Sequence, residues 1–101
     1  MNLLKETLEL LSENKKAPTD VIRVQWEKFF CTWEQFEAAA NFEYDNGFGG
    51  AEVAVSLKVV GEDWWLERGE YDGSEWWEFK TMPTIPDLQR IPTSEDLKDR
   101  W

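Results

Sequence analysis

Residues 63–80 read D-W-W-L-E-R-G-E-Y-D-G-S-E-W-W-E-F-K, and they constrain the fold more than any other stretch of the chain. Two tryptophan pairs, Trp64-Trp65 and Trp76-Trp77, flank Asp72-Gly73. An Asp-Gly dipeptide between alternating apolar runs is the strongest short-range signal for a β-hairpin. Successive strand side chains point to opposite faces, so each pair sends one indole to each side of the sheet. One indole per strand fills a core; the other faces something else.

A two-residue turn fixes the register. Tyr71 pairs with Ser74, Glu70 with Glu75, Gly69 with Trp76, Arg68 with Trp77, Glu67 with Glu78 and Leu66 with Phe79. Trp64, Leu66, Arg68, Trp77 and Phe79 then share the apolar face, with the Arg68 guanidinium over the Trp77 ring. The opposite face carries Trp65, Glu67, Trp76, Glu78 and Lys80. Two roles are open to its indoles. Trp76 can cover the bare backbone of Gly69 and Trp65 can rest on the Lys80 stem, or both can form a contact surface. Glu67 opposite Glu78 favours the second role, because like charges directly opposite destabilise a sheet and suit a face that meets a cation. An inserted bulge residue would reverse these assignments.

The rest of the chain supplies what this hairpin packs on. Asn2 to Glu13 has the apolar spacing of an amphipathic helix, with Leu4, Leu8 and Leu11 on one stripe, Leu3 and Leu10 widening it, and Glu6, Glu9 and Glu13 elsewhere. Pro18 ends any continuation. Val21–Trp26 and Phe29–Cys31 read as short strands. Thr32-Trp33-Glu34-Gln35 is a capping box, opening a helix to about Asn41 with Trp33, Phe36 and Ala40 on one face. Asn46-Gly47 marks a turn in the loop Phe42–Gly50. Val53–Val60 is a strand pattern, with Val53, Val55, Leu57 and Val59 on one face. From Met82 onward Pro83, Pro86 and Pro92 punctuate a polar stretch. Thr93-Ser94-Glu95-Asp96 caps a last helical turn. The expected fold is α+β: an antiparallel meander of three to five strands on two helices. Residues 1–82 form one domain and residues 83–101 an extended Pro-rich tail.

The 101 residues include 21 acidic and 11 basic ones, giving a formal net charge of -10. Ten acids but only Lys58 and Arg68 lie between Glu43 and Glu78. Such a charge repels phosphate backbones and anionic membranes and attracts a cationic partner: a basic protein groove, a metal ion or a basic ligand. There is no histidine, which removes the usual general base and the commonest metal ligand. The single Cys31 allows no internal disulfide and, within Phe29-Phe30-Cys31, reads as an inert apolar thiol. Asp45-Asn46-Gly47 opens like a calcium loop but lacks the later glycine and glutamate. No phosphate-binding or zinc spacing is present. Glu67 and Glu78 have no enclosing cleft for glycosidase chemistry. The expectation is a protein without enzymatic activity, cofactor or metal. The charged start and the lack of a long apolar run predict a cytoplasmic location.

The W-W-L-E-R-G-E-Y-D-G-S-E-W-W-E-F-K-T-M-P core, with the upstream E-Y-D-N-G-F-G-G-A-E-V, resembles a family of small acidic proteins of phages and mobile elements of Gram-positive bacteria. The resemblance spans Thr32 to Pro83 and carries over no catalytic or binding residue. It implies an inhibitor that occupies a host protein, as CRISPR inhibitors do when carboxylates stand where phosphates would lie. The resulting expectation is a binding face of Trp65, Trp76, Glu67 and Glu78, steered by the turn acids Glu70, Asp72 and Glu75. It docks on a basic host protein that binds nucleic acid, with no direct contact to nucleic acid or membrane. Two alternatives use the same face: a small-ligand or carbohydrate module with indoles stacking on sugars, and a homodimeric accessory protein rather than a monomer.

Overall fold

A computed structural model describes residues 1–45, 50–83, 86 and 88–98. The Asn46-Gly47 turn lies outside them. The order of elements is helix α1 (Leu3–Glu13), a 3-10 turn (Pro18–Asp20), strands β1 (Arg23–Trp26) and β2 (Phe29–Cys31), helix α2 (Trp33–Ala40), then strands β3 (Lys58–Val60), β4 (Trp64–Tyr71) and β5 (Ser74–Thr81). The strands form one antiparallel sheet in the order β2-β1-β3-β4-β5. The fold is α+β, and both helices pack on the same face of the sheet through the core shared by Leu3, Leu11, Trp33, Phe36, Val24, Val59, Leu66 and Trp77.

Local sequence accounts for most element boundaries. Asn2 caps α1 by accepting the Lys5 N–H at 2.9 Å. At α2 the Thr32 hydroxyl accepts the Gln35 N–H at 3.2 Å, while the Gln35 side chain accepts the Thr32 N–H at 3.0 Å. Trp33, Phe36 and Ala40 are its buried residues. Asp72 and Gly73 have φ of 50° and 82°, the left-handed pair that lets a two-residue turn follow the twist of its strands. The β4–β5 register is the one the Asp-Gly turn dictates, from Tyr71 opposite Ser74 to Trp64 opposite Thr81.

Two segments depart from their patterns. In α1 the residues turned to the sheet are Leu3, Thr7 and Leu11, whereas Leu8 is exposed. Thr7 belongs there because its hydroxyl has two buried partners: it donates to the Leu3 carbonyl at 2.7 Å and accepts the Trp77 indole N–H at 2.9 Å. The strand expected over Val53–Val60 exists only at Lys58–Val60. Its first half turns back, with the Leu57 N–H donating to the Ala54 carbonyl at 3.1 Å. Ser56 accepts the Glu27 N–H from the β1–β2 turn. Val53 and Leu57 remain buried, but Val55 at the turn is 67% exposed.

Candidate functional site

The helices cover one face of the sheet. Strand alternation places Arg23 and Gln25 of β1, Lys58 and Val60 of β3, Trp65 and Glu67 of β4, and Trp76, Glu78 and Lys80 of β5 on the other. The division of indoles follows the register. Trp64 and Trp77 are buried, Trp65 is half-buried, and Trp76 is 36% exposed.

Each outward indole is fixed by a carboxylate two residues along its own strand. Trp65 Nε1 donates to Glu67 Oε1 at 2.7 Å, and Trp76 Nε1 donates to Glu78 Oε2 at 3.1 Å. Residues i and i+2 share a strand face, so the repeated Trp-x-Glu spacing builds the same bond twice. Trp76 also lies over Gly69. A methyl group at that glycine would stand 2.7 Å from its Nε1 and 2.9 Å from Glu78 Oε2. With Nε1 and Cε2 close over the Gly69 backbone and its N–H tethered, Trp76 is an oriented, part-exposed indole. Covering a glycine and presenting a contact surface are therefore compatible in this geometry.

The cross-strand pair Glu67–Glu78 also finds its partners within the chain. Besides the two indoles, Lys80 Nζ lies 3.6 Å from Glu78 Oε1, and Lys58 stands opposite Glu67 in register. The open face thus sets Arg23, Lys58 and Lys80 against two carboxylates, so its centre is aromatic and mixed in charge rather than acidic. The exposed acids lie at the two ends of β4: Glu62 and Asp63 before it, Glu70 and Asp72 at the far end. Phe30, opposite Gln25, and Val60 contribute apolar surface on this face that the hairpin alone did not reveal.

Glu75 requires a correction. As a turn acid it is expected to steer a partner from the surface, yet it is 1% exposed. Its register partner Glu70 lies on the Arg68 side of the sheet, which turns Glu75 inward. Arg68 Nη2 lies 3.2 Å from Glu75 Oε1, and Arg68 Nη1 lies 3.1 Å from Glu6 Oε1. The Glu75 carboxylate accepts the backbone N–H groups of Glu52 and Val53 at 2.7 and 3.0 Å. Tyr44 donates its hydroxyl to Glu6 at 2.7 Å and accepts from Arg68 Nη2 at 3.2 Å. The guanidinium lies 4.8 Å from the Trp77 ring centre, as the register implied, but it is buried there and its Nε has no hydrogen-bond partner among the described residues. This cluster ties α1, the 42–53 segment and the β4–β5 hairpin together. Burial and the Glu6 bond push the Tyr44 phenol up to about 12. Sequence could have exposed Glu75 through its register parity with Arg68. The partner Glu6, which its helix seemed to turn to solvent, lies 62 residues from Arg68.

Among the described residues no group of three or more Cys, Asp or Glu is placed to hold a metal ion. No described helix is long and apolar enough to cross a membrane. No family model, curated protein or solved structure matches the chain.

Proposed function

We propose that this chain is a non-enzymatic protein-binding inhibitor whose open sheet face docks on a basic site of a host nucleic-acid-binding protein. The observation that carries the reading is the pre-oriented Trp76, set against Gly69 and tethered to Glu78 at the surface. Rigid, part-exposed tryptophans are the commonest energetic centres of protein interfaces, and their prior immobilisation lowers the entropy cost of binding. Trp65 is the second anchor. Glu67 and Glu78 orient the anchors. Glu70 and Asp72 at one end, with Glu62 and Asp63 at the other, supply the long-range attraction to a cationic target.

Acids at the two ends of an aromatic centre suit a site that otherwise receives phosphates. The resemblance to small acidic phage proteins directs the search to CRISPR effectors and similar nucleic-acid enzymes of the bacterial cytoplasm. The test is capture from host lysate followed by inhibition of RNA-guided DNA cleavage. Trp65→Ala with Trp76→Ala should abolish both. Glu62→Lys with Glu70→Lys should slow association and flatten its dependence on salt. Undiminished capture by the double tryptophan variant would remove the sheet face from the interface.

A further inference from the structure

Strand β5 ends the sheet, and its outer edge is free. It is eight residues long and pairs with β4 without a bulge from Ser74 to Thr81. Bonding in an antiparallel strand alternates from one side to the other. The Met82 N–H donates to the Asp63 carbonyl at 2.9 Å, on the β4 side, and this fixes the phase. Trp76, Glu78, Lys80 and Met82 bond towards β4, whereas Trp77, Phe79 and Thr81 aim their N–H and C=O groups away from it. Among the described residues nothing bonds to these outward groups. The free stretch has a definite end on each side. Pro83 falls on the outward phase and has no N–H to give. Glu75 falls on it too, but its side chain is committed to the Glu52 and Val53 N–H groups beside the turn. The usable edge therefore runs from Trp76 to Met82, with Phe79 at its centre.

A long edge with no bulge and no internal proline is a template for another strand. The residues of this edge select which strand. When two copies pair antiparallel about a two-fold axis normal to the sheet, directly opposite residues share a face. With Trp77 on the axis, Thr81 is left over and Glu75 has to pair. With Glu78 on the axis, two carboxylates meet head on, which destabilises a sheet. With Phe79 on the axis, Trp77 bonds to the partner's Thr81, Phe79 to the partner's Phe79, and the usable edge is filled. That same register sets Glu78 opposite the partner's Lys80, and Lys80 opposite the partner's Glu78. Both side chains are within reach, Lys80 being 45% and Glu78 38% exposed. The ends of the edge and the charges along it thus choose one register independently.

We infer that two copies of this chain join edge to edge through β5, antiparallel about Phe79, into one continuous sheet. The axis normal to the sheet keeps both open faces on the same side, so Trp65 and Trp76 of the two copies lie on one surface. The acids Glu62, Asp63 and Glu70 stand in line with β4, one strand back from the shared edge. Those of the two copies face each other across three strand spacings, roughly 14 Å, beyond the roughly 8 Å screening length at physiological salt. A single strand pair is a small interface, so the dimer forms in the micromolar to millimolar range. The pairing goes beyond the inhibitor reading and stands without it, because the strand edge and not the open face holds the copies together.

The experiment is sedimentation of the full chain from micromolar to millimolar concentration at physiological salt, beside amide hydrogen exchange by NMR. A dimer should form, and the amides of Trp77, Phe79 and Thr81 should exchange more slowly as concentration rises. Glu78→Lys alone and Lys80→Glu alone should each weaken the dimer roughly tenfold, because opposite-charge pairs become like-charge ones. An equimolar mixture of the two variants should restore it as a heterodimer, since each lysine then meets a glutamate of the other chain. Net charge cannot give this pattern, because one variant lowers it and the other raises it. Thr81→Pro removes an outward N–H and no bond to β4, so it should keep the fold and lose the dimer. A monomer up to millimolar concentration overturns the proposal. So does a dimer in which those amides exchange freely, or a mixture that associates no better than either variant alone. Protection of the same amides only on addition of a target would give the edge to a strand of the target and would also overturn it.

Discussion

Arg68 shows what a single residue decides in this chain. Its guanidinium joins Glu6 from α1, Glu75 from β5 and the Tyr44 hydroxyl beneath the Trp77 ring, all in a site with little solvent. Such a cluster is costly to break, since removing one partner leaves a buried charge uncompensated, at about 3–5 kcal/mol. Tyr44 reports on it through pH. Its phenol is raised to about 12 in the folded chain, above an unfolded value near 10. The folded state therefore favours the protonated form. The stability contributed is fully present below about pH 10 and is lost as pH rises through about 12. Absorbance titration at the phenolate band should show a late component near pH 12, coincident with loss of stability, that disappears in Tyr44→Phe. A Tyr44 that ionises at the ordinary phenol pH would show that the hydroxyl is not held between Glu6 and Arg68.

At the scale of elements, the legible parts are those whose cause is local. Asp72-Gly73 determines the whole β4–β5 register because a two-residue turn needs two left-handed residues, and no distant contact is required. The Thr32–Gln35 box likewise places the start of α2. Thr7 and the turned-back 53–57 segment were not legible, because each is decided by a partner far along the chain, Trp77 and Glu27; the inward side of Glu75 follows from its parity with Arg68, but its bonds to the Glu52 and Val53 N–H groups do not. The Trp-x-Glu bonds fall between these cases. Their spacing is local, but indole donation to Glu67 and Glu78 becomes visible only with side chains in place. Two glycines of the sheet region separate stability from binding. A methyl at Gly61 would lie 2.0 Å from the buried Trp64 ring, whereas one at Gly69 would meet the exposed Trp76. Gly61→Ala should cost stability by overpacking, of order 1–3 kcal/mol. Gly69→Ala should lift Trp76 off the sheet with a smaller loss of stability and a larger loss of target binding. Thermal unfolding beside a binding assay separates the two; equal binding by Gly69→Ala would remove the oriented indole from the account.

Over the whole molecule, charge opposes compactness. The net charge of -10 is spread over a body whose Arg68 is consumed internally by Glu6 and Glu75, leaving the acids at both ends of β4 facing solvent. Self-repulsion of this kind destabilises the folded state while speeding encounter with a cationic surface. Salt acts on both effects and in opposite directions. Raising the ionic strength from about 0.01 M to about 0.15 M shortens the screening length from roughly 30 to 8 Å, which relieves repulsion between the two acidic ends. The Tm should rise by several degrees, since about 1 kcal/mol corresponds to roughly 4–8 °C for a domain of this size. The association rate with the target should fall over the same interval by at least tenfold. Glu62→Lys with Glu70→Lys, which leaves the Asp72-Gly73 turn intact, should reproduce both trends at low salt, raising Tm and slowing association without touching Trp65 or Trp76. Calorimetry and stopped-flow binding on the same samples read the two together. A Tm that ignores salt while association slows would place the steering charge in local pairs with the target rather than in the field of the whole chain.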